Sequence, residues 1–220
     1  RSTQAKTLFP YTTLFRSGHE CEIRIITTTG DVQKTKPLYD IGGKALFVKE
    51  IESALLAGEI DIAVHSLKDV PGILPGGLIL AAMLEREDAR DVLISKYKSI
   101  SELPFGAKVG SSSPRRIIYL KKLRPDLDIV PLRGNIDTRY RKVVEDNELD
   151  ATILAYAGLN RLGGYLDSGF CHPISASEIL PAVGQGVITL EVRDGDHEML
   201  DLCKNLDHKP TSDAIKLERS

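Results

Sequence analysis

No stretch of this 220-residue chain approaches the roughly 18–20 apolar residues that a membrane span requires, so no membrane partner is expected. Charge of one sign is also lacking. The 29 Lys and Arg nearly balance the 31 Asp and Glu, for a formal net charge of -2. No bulk field therefore draws the chain to nucleic acid or anionic lipid, and anion recognition has to come from local placement of cations. Cysteine is scarce: Cys21, Cys171 and Cys203 are odd in number and form no C-x-x-C. A disulfide framework is not expected, and a reducing, cytoplasmic compartment fits better. Cys171-His172 has no matching ligand pair, so no metal site is expected. No secretory signal is evident. Aromatics make up 5% and do not interleave with the basic residues, which disfavours an RNA-binding surface. What is present is the composition of a folded protein, 42% hydrophobic and 27% charged. The length suits one large α/β domain or two of ordinary size.

Residues 1–17, RSTQAKTLFPYTTLFRS, show neither a helical nor a strand period. The segment is basic and acid-free, as a transit peptide is. TLFPYTTLFRS, however, resembles the translation of a common sequencing adapter, and the stretch is set aside as non-native.

From Cys21 the pattern becomes regular. Glu22–Thr28 is a β-branched run that reads as a strand, and Gly30–Gly43 reads as a loop. Lys44–Leu56 puts Phe47, Ile51, Ala54 and Leu55 on one helical face, and Gly58 is placed to end that helix. Ile60–Val64 is a short apolar strand, so strand, helix and strand suggest a parallel crossover unit. Further strands are expected at Leu78–Leu84, Asp91–Ser95, Lys108–Gly110, Asp128–Leu132, Ala151–Ala155 and Val187–Val192. Helices are expected at Arg115–Leu123, Asn135–Asn147 and His197–Leu206, with another starting at Thr211. Alternating strands and helices argue an α/β fold with mostly parallel sheets. The best crossing points between two lobes lie near Glu85–Arg90 and Ile179–Gly186, and a cleft between lobes is a usual ligand site.

Three constellations carry candidate chemistry. His65-Ser66-Leu67-Lys68-Asp69-Val70-Pro71 follows a buried strand, at the end where α/β sheets bind ligands. A carboxylate beside an ammonium there can hold a cationic or N–H-bearing intermediate and can shuttle a proton. The His65 imidazole can equally satisfy a buried hydrogen bond. Gly110-Ser111-Ser112-Ser113-Pro114-Arg115-Arg116 opens a helix, with Ser113 as N-cap and Pro114 as first helical residue. Its backbone N–H groups and forked guanidiniums suit carboxylates. Two arginines in the first turn oppose the helix dipole, a conflict that a nearby anion would offset. Arg133-Gly134-Asn135-Ile136-Asp137-Thr138-Arg139 is a second strand-to-helix junction of the same kind. Arg115, Arg116, Arg133 and Arg139 at two equivalent junctions suggest a substrate with several carboxylates. Cys203 reads as core, and Ala182-Val183-Gly184-Gln185-Gly186 as a hinge or close backbone approach.

In order and spacing, GGKALFVKEIESALLAGEIDIAVHSLKDVP, GSSSPRR, LRGNIDTR, ILAYAGLNRLG and LPAVGQG resemble the signature stretches of the porphobilinogen deaminase (hydroxymethylbilane synthase) family. The resemblance runs from about Gly18 to Ser220. It implies two periplasmic-binding-protein-like lobes: residues 18–87 with 184–206, and residues 88–183. Residues 207–220 would begin a truncated third domain that carries the cofactor-attachment cysteine. It further implies a transferase that condenses four porphobilinogens into hydroxymethylbilane with release of ammonia, on a covalent dipyrromethane cofactor. Asp69 falls on the family's catalytic aspartate, which stabilises the azafulvene-like cation. Lys68, Ser111, Ser113, Arg115, Arg116, Arg133, Arg139, Arg161, Gln185 and Gly186 fall on positions that bind cofactor and substrate carboxylates, and Phe47 on an aromatic near the cofactor. None of the three cysteines sits in the family's Gly-Gly-Cys context, so none is assigned the attachment. Pro114 stands where leucine is common. The implied partner is the small molecule porphobilinogen, with no nucleic acid and no membrane, and a monomer is expected. The competing reading is a two-lobe small-anion binding module without catalysis, which shares the fold class; Lys68-Asp69 and the four arginines favour the enzyme.

Overall fold

The computed structural model describes residues 21–28 and 48–220. The set-aside segment 1–17, the loop 30–43, Phe47 and the first turn of the helix expected from Lys44 lie outside the described residues. Within them the strands are β1 Ala63–Ser66, β2 Leu78–Met83, β3 Asp91–Ser95, β4 Lys108–Gly110, β5 Asp128–Val130, β6 Ala151–Ala155, β7 Cys171–Pro173 and β8 Ile188–Arg193. The α-helices are α1 Lys49–Leu56, α2 Pro114–Leu123, α3 Ile136–Val144, α4 Tyr156–Leu162, α5 His197–Lys204 and α6 Lys209–Glu218. No helix among the described residues is long and apolar enough to cross a membrane. The chain divides into two compact units. One holds the residues up to Arg86 and Val187–Ser220, the other Glu87–Gly186, against the 87/88 and 183/184 divisions expected from the sequence.

The first unit is built on a three-stranded sheet in the order β1-β8-β2, with β8 antiparallel to both neighbours. Side chains along β1 alternate, Ala63 and His65 inward, Val64 and Ser66 outward. Across the ladder Ala63 faces Glu191 and His65 faces Thr189, so these four share one side of the sheet. Helix α1 covers that side through Leu55, which packs with Ala63 and Leu78. The other side is covered by α5, whose Cys203 packs with Ala82, Leu190 and Val192. Asp196 caps α5 by accepting from Met199 N. Residues 207–220, expected to open a further domain, lie in this unit; Ile215 of α6 is buried with Leu67, Val70, Met83 and Val187.

The second unit has a five-stranded sheet in the order β5-β4-β6-β3-β7. Both faces are buried, so its central strands are continuous apolar runs whose alternate residues feed two cores. Leu93, Ala151 and Ile153 pack with Leu120 of α2. Val92, Ile94 and Leu154 pack with Val143 of α3 and Leu159 of α4. The β4–α2–β5 and β5–α3–β6 connections are crossover units in parallel sheet.

Two expectations are corrected. The sheets are mixed rather than mostly parallel among the described residues: β4 pairs in parallel with β5 and β6, whereas β3 and β8 are antiparallel to their partners. The reason is topological, since each unit places one strand of reversed direction inside its sheet. The other correction concerns Glu22–Thr28, where no ladder forms among the described residues and Ile23 and Ile25 are exposed. The expected crossover pairing with the following strand is therefore not seen. The sequence reading also passed over β7 and α4, both short elements inside otherwise loop-like text.

Candidate functional site

In the first unit the HSLKD segment leaves β1 as a single 3-10 turn, Leu67–Asp69. The turn is pinned from below. Leu67 and Val70 are buried, and Leu67 N donates to Val187 O at 3.0 Å. The anchors leave Lys68 and Asp69 half-exposed at the strand end. Asp69 lines a cavity of about 260 Å³ with Val48, Ile51, Val64, His65 and Ser66. Behind that wall, His65 Nε2 pairs with Glu191 Oε2 at 2.9 Å, both residues buried.

In the second unit two neighbouring strand-to-helix junctions are locked together. Ser112 Oγ donates to Leu132 O and accepts from Leu132 N, each at 3.0 Å. Gly110 makes the approach possible, because a Cβ there would stand 2.7 Å from both Leu132 Cδ2 and Leu149 Cδ1. The β4–α2 junction is capped as its sequence suggests, Ser113 Oγ accepting from Arg116 N, and Asn135 Oδ1 accepts from Thr138 N at 2.8 Å at the β5–α3 junction. Ser111 Oγ accepts from Ser113 N at 3.3 Å. Each of these two serine hydroxyls accepts one internal bond, which fixes the oxygen and leaves the O–H to donate.

The arginines divide into two sets. Arg115 and Arg116 both pair with Asp91, each at 2.7 Å, and Arg116 also donates to Ile153 O at 2.9 Å. Asp91 is fully buried and Arg116 is 7% exposed. Gln185, expected to face a ligand, is buried as well and donates to Asp91 Oδ1 at 3.0 Å and to Ala89 O at 2.6 Å. Burial alone would raise the Asp91 carboxyl, but the Arg116 charge and the hydrogen bonds from both arginines outweigh it and hold the group below its ordinary range. The anion that offsets two cations at the start of α2 is thus an internal aspartate.

Arg133 and Arg139 form the second set. Arg139 Nε donates to Gly134 O at 2.8 Å. Burial, followed by the like charges of Arg116 and Arg133, pushes the Arg139 guanidinium below its ordinary range. Partly buried guanidiniums that repel one another are a candidate anion site. Arg161, at the end of α4, donates to Gly186 O at 2.8 Å; burial lowers it too, with Glu87 opposing.

Sequence reasoning missed Asp91 and the Glu191 partner of His65. Both carry the same signal, an acidic residue inside a buried apolar strand, DVLIS and ITLEVR, which has to be paired. Cys203 is core, its thiol pushed up to about 11 by burial. Among the described residues no group of three His, Cys, Asp or Glu side chains is arranged to hold a metal ion.

Residues 3–201 match the family model described as porphobilinogen deaminase, dipyromethane cofactor binding domain. The chain belongs to the porphobilinogen deaminase family. Among relatives named porphobilinogen deaminase, that of Rickettsia bellii (strain OSU 85-389) is 55% identical over 201 residues, covering 91% of this chain and 66% of its own. That of Rickettsia typhi is 56% identical over 201 residues, covering 91% of this chain and 67% of its own. The chain thus spans about two thirds of the length of these porphobilinogen deaminases. Among solved structures, the periplasmic VFT2 domain of Bordetella pertussis BvgS is similar at 15% identity with a TM-score of 0.50, over 96% of this chain and 81% of that one. The fold is accordingly α/β of the periplasmic-binding-protein type.

Proposed function

We propose that the full-length gene product is a cytoplasmic, monomeric hydroxymethylbilane synthase, which joins four porphobilinogen molecules head to tail and releases one ammonia at each step. The observation that carries this reading is the pair of locked strand-to-helix junctions, which carry Ser111 and Ser113 on one and Arg133 and Arg139 on the other, in a chain of this family. Porphobilinogen and its oligomers bear an acetate and a propionate on every ring, so each added ring brings two carboxylates that need cations.

The residues present fit a dipyrromethane cofactor by the same chemistry. Arg133 and Arg139, with the hydroxyls of Ser111 and Ser113, would hold its carboxylates. When bound, the cofactor would supply the free pyrrole carbon to which the first ring is joined, and each later ring would be joined to the ring added before it. Arg115, Arg116 and Gln185 serve this arrangement through Asp91, which sets the start of α2. Asp69 accepts hydrogen bonds from pyrrole N–H groups. It also offsets the positive charge that develops as the aminomethyl nitrogen departs, a charge stabilised most where water is excluded. Lys68, the neighbouring cation, binds a carboxylate.

The test is turnover by the purified full-length gene product. Porphobilinogen loss is followed with Ehrlich's reagent, and the linear product by its spontaneous closure to a fluorescent porphyrin. Consumption of four porphobilinogens per porphyrin is expected. A protein that binds porphobilinogen without consuming it would refute the assignment.

A further inference from the structure

Behind the Asp69 cavity lies a group of ionisable side chains that the proposed reaction does not use. Glu52 comes from α1, His65 from β1 and Glu191 from β8, so three elements each send one such group into the layer between helix and sheet. They are 6%, 5% and 0% exposed. His65 Nε2 holds Glu191 Oε2 at 2.9 Å. The second oxygen of Glu191 and Oε1 of Glu52 have no hydrogen-bond partner among the described residues. Burial, and then the charge of Glu191, raises the Glu52 carboxyl, with His65 opposing, so the three respond to one another electrostatically.

Around them the layer is formed mainly by the apolar Leu55, Ala63 and Leu78 with Ile51 and Ile60, and Thr189 beside His65 has its hydroxyl bonded to Ala82 O. Buried ionic groups are commonly replaceable by apolar residues of similar volume without loss of stability. Stability is therefore a poor account of three of them here, and buried polar atoms without partners point to function instead. The connection to the site is direct. His65 lines the same cavity as Asp69, and the chain turns from β1 into Leu67–Asp69 immediately after it.

We propose that Glu52, His65 and Glu191 are positioning residues for Asp69: the His65–Glu191 pair, with Glu52 beside it, fixes the cavity wall and strand end from which the aspartate is presented. The inference rests on the catalytic role of Asp69 proposed above. Apolar replacements can fill this layer, but they cannot hold the imidazole at the wall.

The experiment uses the full-length gene product and steady-state turnover of porphobilinogen. Turnover by the wild-type protein tests the functional assignment by itself; the variants test the positioning. Glu191→Gln removes the charge that holds His65 while keeping its volume, and His65→Gln removes the imidazole. Each variant, folded by circular dichroism, is expected to lose about tenfold or more in kcat with KM within about threefold, because the presentation of the reacting group changes and substrate carboxylate binding does not. The double variant is expected to be no worse than the poorer single variant, since both act through one contact. Folded variants that lose less than about tenfold in kcat, a loss confined to KM, or losses that multiply in the double variant would overturn the proposal. Should Glu191→Gln not fold, the paired Glu52→Leu and Glu191→Leu replacement removes both carboxylates and is read in the same way. Failure of that variant to fold as well would make the group structural and end the proposal.

Discussion

Asp91→Asn removes the negative charge on which Arg115, Arg116 and Gln185 converge, at almost constant volume. Asparagine keeps one acceptor oxygen, so part of the hydrogen bonding survives, but two guanidiniums lose their counter-ion. Asp91 is fully buried and Arg116 nearly so, and water cannot take over. Breaking a buried pair by removing one partner costs about 3–5 kcal/mol. The retained acceptor argues for the lower end, about 3 kcal/mol, which is a drop in Tm of roughly 6–12 °C for a protein of this size. Calorimetry on the full-length gene product at pH 7 measures it. The pH dependence has a defined sign. Because the folded carboxyl lies below its ordinary value of 3.8, its contribution is complete at neutral pH and is lost as pH falls through the folded value. The difference between wild type and Asp91→Asn should therefore shrink below pH ~4. A Tm within about 2 °C of wild type at pH 7 would show that the pair does not carry the weight given to it.

Three further outcomes follow from the structure. Asp69→Asn in the full-length gene product should lower kcat by several orders of magnitude while the melting temperature holds, because the swap is nearly isosteric at a half-exposed position; turnover near wild type would remove the role assigned to Asp69. Gly110→Ala forces a methyl against Leu132 and Leu149 and should destabilise the protein by about 1–3 kcal/mol, measured by urea unfolding; an unchanged midpoint would show that the junction yields freely. The Cys203 thiol, pushed up to about 11 and buried, should resist a thiol-specific disulfide reagent at pH 8 until the protein is unfolded, and rapid labelling of the native protein at Cys203 would contradict its placement.

Periodicity and caps made most elements legible. Asp91–Ser95, Lys108–Gly110 and Ala151–Ala155 have the bounds their apolar runs suggest, and α2 starts where Ser113-Pro114 requires. The relative direction of the strands was not legible, because the sequence of a buried strand reads alike whether its neighbour is parallel or antiparallel. Glu22–Thr28 has the composition of a strand, yet a ladder depends on a partner that local sequence cannot supply. In the candidate site the arginines stood out by residue type and junction. What Arg115 and Arg116 face was hidden, since Asp91 is 24 and 25 residues away in the chain. The inference that an anion must offset two cations at the start of α2 was physically sound, but the chain itself supplies that anion.

The place of β8 bears on how the chain is made. The second unit is contiguous in sequence and can fold as soon as residue 186 has left the ribosome. The first unit cannot close its sheet then, because the strand that belongs between β1 and β2 is synthesised last of the three. At about 5–20 residues per second, β1 and β2 wait roughly 5 to 20 s with facing edges unpaired. During that interval the edges that β8 will cover are open to mispairing with another copy, so a pause in translation ahead of residue 188 should lower the yield of folded protein more than one placed after residue 193.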